Sequence, residues 1–549
     1  MVKLVPLGGL GEIGLNMMAI ECEEYILVVD AGIMFPDAFM PGVDVVIPDF
    51  SYLLEKKNKV RSVILTHGHE DHLGAMPFFL KSFSVPVYGT NFTLKILAEK
   101  LKEHRLLDQA DLRTILPGET TSLGPFRVEY LRVNHSIIDG VGLAIETPEG
   151  IIIHSGDFKI DTTPVDNQFT DLNRFAYYGE KGVLAFFSDS TNAEKEGFTL
   201  SEKDVRETLE GFFRNCRGKI IVAVFASNIT RIRQLVELAV ASGRKVVFNG
   251  KSMITNIAIA KQEGYISIPE DTEINERQAD QYQDPGVAVI TTGSQGEPMS
   301  ALTRMARNKH KKLRVNRGDT VILSSRFIPG NERAITDSIN RLYRLGADVV
   351  YEKVSDIHTS GHAKREELKI MLDLVKPQFF IPIHGEYRHL VKHAQLARAM
   401  GIPEEHIILG ENGTAIRLEK NEVRLGESVH SGRVMVDGKG VGDVGEIVLR
   451  DRRRLSGHGM VIVLLALDEQ TGETVYGPDV ISRGFVFEGQ VGALLEDAKC
   501  VILEVLDELE RPSPPIWSDL ESDIERRLKR FFFKVLERSP LILPLVIPL

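Results

Sequence analysis

A short histidine-rich segment carries the strongest chemical signal in the sequence. His67, His69 and His72 stand within six residues, together with the carboxylate of Asp71. The segment directly follows an apolar run, 63–65, that predicts a buried strand. Residues two apart on an extended chain face the same way, so His67 and His69 can bind one ion while a turn directs Asp71 and His72 to another. Nitrogen and oxygen ligands of this kind are typical of zinc or manganese sites.

Three later segments each place a potential ligand at or just beyond the end of a β-like run. These ligands are His135, Asp157 and His384. Loops that follow strand ends at one edge of a sheet meet to form sites, so we expect these side chains to join the first cluster. His154 is expected to be structural or to donate a hydrogen bond to a ligand. The set is sufficient for two ions if one carboxylate bridges them: His67, His69, Asp71, His72, His135, Asp157 and His384.

Length and cysteine content limit the class of protein. A chain of 549 residues exceeds one ordinary core and predicts about three or four folding units. The cysteines, Cys22, Cys216 and Cys500, lack CxxC spacing, which excludes a disulfide framework and a thiolate metal site. The sequence has no apolar run of about eighteen residues and no signal-peptide pattern, so we expect a cytoplasmic protein that does not enter a membrane.

The net charge of −11 by itself argues against a polyanionic partner. An enzyme that binds nucleic acid in a cleft needs only local positive charge and metal ions, however. The run 304–317 (RMARNKHKKLRVNR) supplies such charge. It is equally typical of a solvated helix or loop.

The elements that must position these residues follow a clear order. Residues 1–190 alternate β-rich runs with glycine turns and a few helical stretches such as 92–104. Residues of about 200–350 begin with a helix capped by Ser201 and then alternate strand and helix, which predicts a separate parallel sheet. The last hundred residues have their own strand pattern, 459–467, and an amphipathic helix near 518–536.

A glycine motif near the start offers an alternative function. Gly9, Gly11 and Gly14 match the GxGxxG pattern of dinucleotide sites, with an acidic residue, Asp30, further on. Such a site needs a helix straight after the glycines. Residues 16–30 instead read as two strands of a hairpin, so we reject dinucleotide binding.

Taken together, these motifs resemble a known group of hydrolases. Asp30, the segment 67–72, His135 and Asp157 resemble the metallo-β-lactamase superfamily pattern. Asp189, His362 and His384 resemble the three β-CASP motifs of nucleases. The stretches 8–17 (GGLGEIGLNM), 225–234 (FASNITRIRQ), 291–302 (TTGSQGEPMSAL) and 360–369 (SGHAKREELK) are similar to the bacterial ribonuclease J family over essentially the whole chain.

The resemblance implies an α/β fold: a metallo-β-lactamase αββα sandwich with an inserted β-CASP α/β domain and a small α+β C-terminal domain. It places the first part of the metallo-β-lactamase domain at 1–200, the β-CASP domain at 201–352 and the return to the metallo-β-lactamase domain at 353–430. A linker, 431–449, then leads to a C-terminal oligomerisation domain, 450–549, of a homodimer or homotetramer.

The resemblance also assigns roles to particular residues. His67, His69, His135 and Asp157 would hold one zinc, and Asp71, His72, Asp157 and His384 the second, with manganese or magnesium as alternatives in activity. Asp30 would support the ligand loop from behind. The implied catalytic residues are Asp71, Asp189 and His362. The implied substrate residues are Ser227, Asn228, His358, Thr359, Ser360, Gly361 and His362, with a 5′-monophosphate pocket at Ser227 and Asn228. A structural calcium would fall near Asp44 and Asp437.

The implied function is a zinc-dependent ribonuclease with 5′-to-3′ exonuclease and endonuclease activity. It would favour 5′-monophosphate ends and act on RNA that is single-stranded or has a free 5′ end, in RNA maturation and decay. The alternative is a DNA-directed β-CASP nuclease. The insertion disfavours a small-molecule hydrolase, and His69 replaces the glutamate of the HxExD pattern of related di-iron proteins. A scaffold without catalysis would have lost at least one ligand, and none is lost.

Overall fold

Alternating apolar runs in the first part of the chain form strands, as the sequence predicts. The computed structural model describes residues 1–37, 39–297, 299–327, 331–352, 354–420, 422–438, 440–485, 491–508 and 517–549. These residues form two compact units. The first comprises 1–34 and 46–434, and the second comprises 35–45 and 435–549.

Two stacked sheets form the centre of the first unit. One has eight strands, in spatial order Glu422–Ser428, Thr414–Glu419, Val2–Gly8, Met17–Cys22, Tyr25–Val29, Val60–Ile64, Val87–Gly89 and Leu112–Thr114. The other has six, in spatial order Phe379–Ile383, Ala185–Asp189, Gly150–His154, Val141–Thr147, Phe126–Arg132 and Thr120–Leu123. Apolar side chains of both sheets, such as Ile64 and Phe187, share one buried cluster between them.

Helices cover the outer faces of this sandwich. On the six-stranded sheet, Phe175, Met371 and Leu396 pack in a second buried cluster. They belong to the helices Leu172–Lys181, Arg365–Val375 and Tyr387–Ala399. The helix Asn91–Glu103 packs against the strand Val87–Gly89 of the other sheet. This is the αββα architecture of the metallo-β-lactamase fold, and it confirms the predicted fold class.

A separate parallel sheet occupies the predicted insertion. Its strands follow the spatial order Lys245–Asn249, Val287–Thr291, Ile220–Ala223, Thr320–Leu323 and Asp348–Val350. Four of these strands are buried almost throughout, as is usual when helices cover both faces. The associated helices are Glu202–Asn215, Ile229–Ala241, Lys251–Gln262, Ala301–Ala306 and Glu332–Arg344. Ser201 caps the first of them through a capping box, as expected.

The glycine motif precedes a hairpin and not a helix. Met17–Cys22 pairs antiparallel with Tyr25–Val29, which confirms the rejection of a dinucleotide site. Leu10–Gly11 instead pairs in parallel with Gly385–Glu386, directly after His384. The motif therefore helps to position a predicted metal ligand.

The second unit contains a three-stranded sheet and three helices. Met460–Leu467 pairs antiparallel with Thr474–Arg483 and parallel with Leu541–Pro548. The helices are Glu446–His458, Val491–Glu508 and Trp517–Leu536, the last being the predicted amphipathic helix. Among the described residues, no helix in either unit is long and apolar enough to span a membrane.

Candidate metal centre

The local fold of the histidine-rich segment separates its side chains into two groups. After the strand Val60–Ile64 the chain stays extended as far as His69. His69 then starts the short helix Glu70–Leu73, which places Asp71 and His72 in the second group, although the rings of His67 and His72 remain neighbours with centroids 4.1 Å apart. The two groups are therefore built by a strand end and by the first turn of a helix, respectively.

The first group has three converging nitrogens. Nε2 of His67 and Nε2 of His135 each lie 3.1 Å from Nδ1 of His69. In the second group, Nε2 of His384 lies 3.4 Å and Nε2 of His72 lies 3.7 Å from Oδ2 of Asp71. The ligand atoms of the first group lie within 4.8 Å of one another, as do those of the second group together with Asp157. The structure thus brings together all seven residues that the sequence selected.

Asp157 lies between the two groups. Its Oδ2 is 3.8 Å from Nε2 of both His67 and His135. The same oxygen is 3.2 Å from Nε2 of His72 and 3.4 Å from Nε2 of His384. One buried carboxylate oxygen can therefore face an ion in each group, which is the arrangement expected of a bridging ligand.

Hydrogen bonds at the outer nitrogens fix the histidine tautomers. Nδ1 of His135 is 2.8 Å from the carbonyl oxygen of Gly361, and Nδ1 of His72 is 2.8 Å from Oδ2 of Asp30. Both partners can only accept, so each Nδ1 carries the proton and each Nε2 directs a lone pair inward. Nδ1 of His67 and of His384 face the hydroxyls of Thr66 and Thr191. Lone pairs that converge in a buried site fit metal ions and would repel one another without a cation.

Electrostatics favour the neutral form of the first group of imidazoles and the ionised form of Asp157. Burial holds the pKa of His67 and His135 well below the ordinary imidazole value and lowers the pKa of His69 to about 4. Burial alone would raise the pKa of Asp157, but the charges of His384 and His72 hold it well below its usual value. Neutral imidazoles and an ionised carboxylate are the forms that bind divalent cations. In the second group, burial opposes protonation but Asp157 and the neighbouring carboxylates raise the pKa of His72 and His384 well above the ordinary imidazole value, so an ion there would take the place of protons.

Asp30 holds the histidine-rich loop by accepting hydrogen bonds from Thr66 and His72. It follows the strand Tyr25–Val29 in a left-handed conformation, with φ of 61°. Its Oδ1 accepts the backbone N–H of Thr66, and its Oδ2 accepts the hydroxyl of Thr66 and Nδ1–H of His72. His154 lies nearby, and its Nδ1 accepts the backbone N–H of Gly156.

A second carboxylate and histidine pair lies beside the centre. Nδ1 of His362 donates to Oδ2 of Asp189 at 2.7 Å and lies 3.9 Å from Oδ2 of Asp157. Burial opposes ionisation of Asp189, but the charge and the hydrogen bond of His362 hold its pKa below the ordinary value. The His362 side chain is 19% exposed, so one face of the ring remains open to a substrate.

The segment 358–361 runs from this pair towards a positively charged region. Nδ1 of His358 is buried and has no hydrogen-bond partner among the described residues. Desolvation, followed by the charges of Arg231, Arg326, Lys195 and Lys159, lowers the pKa of His358 to about 3. Burial and the charge of Arg326 also lower the pKa of Lys195, to about 8. The four cationic side chains around this unpartnered nitrogen make the region suited to an anion.

The other predicted substrate residues are partly engaged within the chain. Thr359 donates its hydroxyl to the carbonyl of Leu200, and Oγ of Ser360 accepts from the side chain of Asn192. Asn228 caps the helix Ile229–Ala241 by accepting the N–H of Arg231. Ser227, half-buried, directly precedes this helix end, where backbone N–H groups favour anions.

Gly361 leaves no room for a side chain. A Cβ at this position would lie 2.6 Å from Nδ1 of His135 and 2.7 Å from the backbone N of Ser136. We expect Gly361→Ala to displace the His135 imidazole and to weaken metal binding by about tenfold or more. Equilibrium dialysis with zinc measures this. Gly211→Ala is the control, because a Cβ there meets no atom within 4 Å. Equal zinc affinity in the Gly361→Ala variant and the original chain would contradict the role assigned to Gly361.

The calcium prediction gains no support from the structure. Oδ2 of Asp44 accepts the N–H of Gly438, and Oδ2 of Asp437 pairs with Arg452 at 2.5 Å. Neither aspartate belongs to a group of three potential ligands in the described part of the chain. The calcium site stays a prediction.

Several residues in the site carry no sequence signal of their own. Thr66 and Thr191 contact ligand histidines, and Asn192 joins Arg326 to the segment 358–362. Arg231 is fully buried and pairs with Glu202 at 2.7 Å. For Thr66, Thr191 and Asn192, proximity to motif residues is the only signal in the sequence that could have identified them.

The sandwich and its cluster of imidazoles and carboxylates define a metal-dependent hydrolase of the metallo-β-lactamase superfamily. A family model for that superfamily matches residues 11–187, and the model "Zn-dependent metallo-hydrolase RNA specificity domain" matches 346–409. The models "Ribonuclease J, beta-CASP domain" and "Ribonuclease J C-terminal domain" match 217–342 and 447–549. The chain belongs to the ribonuclease J family.

Full-length relatives support this assignment. Ribonuclease J2 of Bacillus subtilis is 41% identical, with 99% of this chain and 98% of that protein covered. Ribonuclease J of Thermus thermophilus is 42% identical, covering 100% of this chain and 95% of that protein. A crystal structure of a protein of unknown function from Enterococcus faecalis matches with a TM-score of 0.54, over 76% of this chain and 99% of that one. At 16% identity it supports the fold alone. The chain is therefore a metal-dependent ribonuclease that acts on RNA.

Proposed function

We propose that the chain is a two-zinc ribonuclease that cuts RNA internally and also degrades it in the 5′-to-3′ direction from 5′-monophosphate ends. It would serve RNA maturation and decay, including rRNA processing and mRNA decay, in the cytoplasm. The observation that carries this proposal is the unpartnered Nδ1 of His358 in a strongly positive region. That region is linked by three residues to the Asp189 and His362 pair.

The link between the positive region and the metal centre is short and rigid. Gly361 accepts a hydrogen bond from His135, and Asn192 donates to the carbonyl of His362. Arg326 in turn donates to the side chain of Asn192. A terminal phosphate beside His358 would therefore lie at a fixed chain distance from the metal ligands. This supports release of nucleotides from a 5′ end that carries one phosphate.

The donor set supports zinc in both groups. We assign one ion to His67, His69, His135 and Asp157 and the other to Asp71, His72, His384 and Asp157. Imidazole nitrogens and carboxylate oxygens are common zinc ligands, and manganese or magnesium are alternatives in activity. Two bound cations would supply a water with a pKa lowered towards about 7 and would neutralise charge on the phosphodiester.

The side chains around the ions carry out the proton transfers. We assign to Asp71, whose side chain is 30% exposed, the role of accepting a proton from the attacking water. His362, oriented by Asp189 through Nδ1, presents Nε2 to protonate the leaving oxygen or to contact the phosphate. The phosphodiester P–O bond breaks as the new P–O bond to water forms.

RNA end chemistry tests the proposal. We expect 5′-monophosphorylated RNA to be degraded about tenfold faster than matched RNA with a 5′-triphosphate or 5′-hydroxyl, because the pocket proposed beside His358 would hold a single terminal phosphate. His358→Ala is expected to reduce this ratio to about twofold. The control is His406→Gln, which replaces an imidazole that packs on Phe379, and it is expected to retain the ratio. Equal rates on all three ends by the unmodified chain would overturn the pocket assignment.

Two further substrates separate the remaining alternatives. A circular RNA has no 5′ end, so its cleavage reports endonuclease activity alone. A DNA oligonucleotide of the same sequence tests the discarded DNA-directed function, and we expect it to remain intact with zinc or manganese.

Apolar residues on the sheet of the second unit support assembly into a homodimer or homotetramer. Leu543, Leu545 and Ile547 on the strand Leu541–Pro548 are exposed, as is Ile481 on the strand at the other edge of this sheet, Thr474–Arg483. Exposed apolar patches of this kind favour protein contacts. Sedimentation of the purified chain measures its oligomeric state.

A further inference from the structure

Thr191 contacts both parts of the candidate catalytic apparatus. Its Oγ lies 2.6 Å from Nδ1 of His384 and 2.8 Å from Oδ1 of Asp189. Its backbone N–H donates to the same Oδ1 at 2.9 Å. A hydroxyl has one proton to donate, and the carboxylate can only accept. Oγ therefore donates to Asp189 and accepts from Nδ1–H of His384.

This arrangement divides the two oxygens of Asp189. Oδ1 is occupied by Thr191, and Oδ2 accepts Nδ1–H of His362 at 2.7 Å. Nδ1 of His384 lies 3.5 Å from Oδ1, too far for a strong direct bond. The hydroxyl of Thr191 thus stands between the carboxylate and a metal ligand, and leaves the other oxygen free for His362.

The backbone of His384 also depends on this loop. His384 has a φ of 53°, in the left-handed region that a bulky residue rarely adopts. Its carbonyl oxygen accepts the backbone N–H of Ser190 at 3.4 Å and lies 3.1 Å from Oγ of Thr191, whose proton goes to Asp189. The segment that carries Asp189 therefore holds both the ring and the main chain of His384.

The same construction occurs on the other side of the centre. Oγ of Thr66 donates to Oδ2 of Asp30 at 2.8 Å and lies 3.1 Å from Nδ1 of His67. The backbone N–H of Thr66 donates to the other oxygen of Asp30. Each group of ligands thus has a threonine hydroxyl between a histidine Nδ1 and a buried aspartate. The repetition on unrelated segments supports a role in orienting the ligand imidazole.

We propose that Thr191 is a positioning residue that couples the second ion to the acid. It holds His384 in the tautomer that presents Nε2 to the ion, and it reserves Oδ2 of Asp189 for His362. Without the hydroxyl, Nδ1–H of His384 turns directly to Asp189, which draws the carboxylate from His362 and the imidazole from the ion. This inference rests on the two-ion centre proposed above.

The test compares the zinc content of full-length variants. Each protein is dialysed against a series of buffered zinc concentrations, and bound zinc is counted by mass spectrometry. The unmodified chain is expected to bind two ions. Thr191→Val is expected to bind one ion with unchanged affinity and the second about 10- to 100-fold more weakly. Thr191→Ser, which keeps the hydroxyl, is expected to restore both.

Controls separate this role from a general loss of structure. Thr303→Val removes another hydrogen-bonded threonine hydroxyl, which contacts Ser300, and is expected to bind both ions. If the valine variant does not fold, the zinc content of Thr191→Ala is measured instead. Thermal unfolding of each zinc-free chain shows whether the variant is folded. Two ions bound normally by both Thr191→Val and Thr191→Ala would overturn the inference, as would equal weakening of both ions. Fewer than two ions in the unmodified chain would instead overturn the two-ion centre itself.

Discussion

Replacing Asp157 with alanine is expected to remove at least one zinc ion and to slow RNA cleavage by about 10³-fold or more. Its Oδ2 lies within 3.8 Å of four imidazole nitrogens drawn from both groups. Loss of this oxygen takes a ligand from each ion at once. A 10³-fold loss corresponds to about 4 kcal/mol of transition-state stabilisation, the size expected when an electrostatic element of a catalytic site is removed.

The measurement is single-turnover cleavage of a 5′-monophosphorylated RNA, with bound zinc counted in the same preparation. Asp373→Asn, an exposed carboxylate on the helix Arg365–Val375, is the control and is expected to keep both properties. An Asp157→Ala enzyme that retains two ions and cleaves at a comparable rate would remove the basis for a bridging ligand.

Replacing His362 with alanine is expected to abolish most cleavage while leaving both ions bound. His362 donates Nδ1–H to Asp189. It also lies close enough to His135, Asp157 and His384 to form further groups of possible ligands, but the two ions are assigned to other residues. General acid catalysis contributes about 10²- to 10⁴-fold, so a loss in that range is expected. Asp189→Asn should cause a loss of similar size, and the double variant should be little worse, because the two residues act as a unit.

Zinc content distinguishes this role from ligation. His430→Gln, on an exposed histidine paired with Asp49, is the control and should match the unmodified chain. Loss of zinc from the His362→Ala variant to the same extent as from a His67→Ala variant would show that His362 acts as a ligand. The role assigned to it as an acid or phosphate contact would then be wrong.

Much of the fold could be predicted because local patterns and tertiary packing agree. The continuous apolar runs of Tyr25–Val29 and Gly150–His154 form strands where expected, and the serine at 201 starts a helix. The parallel sheet from Ile220 to Val350 falls inside the predicted insertion. The exact domain boundaries stay predictions.

The ligand residues were predictable because their residue types and their positions after strands both indicate metal ligands. His384 comes more than two hundred residues after His135 and Asp157, yet each of the three follows the end of a strand in the same six-stranded sheet. The topology of that sheet brings the ends together. The spacing of the earlier ligands alone did not predict that the last ligand, His384, follows the insertion.

The residues behind the ligands were not predictable, because hydroxyl and amide side chains are common and their partners depend on precise tertiary geometry. Thr66 and Thr191 set the tautomers of His67 and His384 through single hydrogen bonds. Arg231 influences the positive region from a fully buried position in the inserted domain. Such contacts are properties of the folded chain and not of any local pattern.

The most direct test of the central claim is a crystal structure of the zinc-loaded enzyme with anomalous scattering recorded at the zinc edge. The account predicts two peaks. One should lie about 2.0–2.2 Å from the converging nitrogens of His67, His69 and His135, and the other at a similar distance from ligand atoms of Asp71, His72 and His384. Asp157 should contact both. A single peak, or two peaks of which Asp157 contacts only one, would contradict the account.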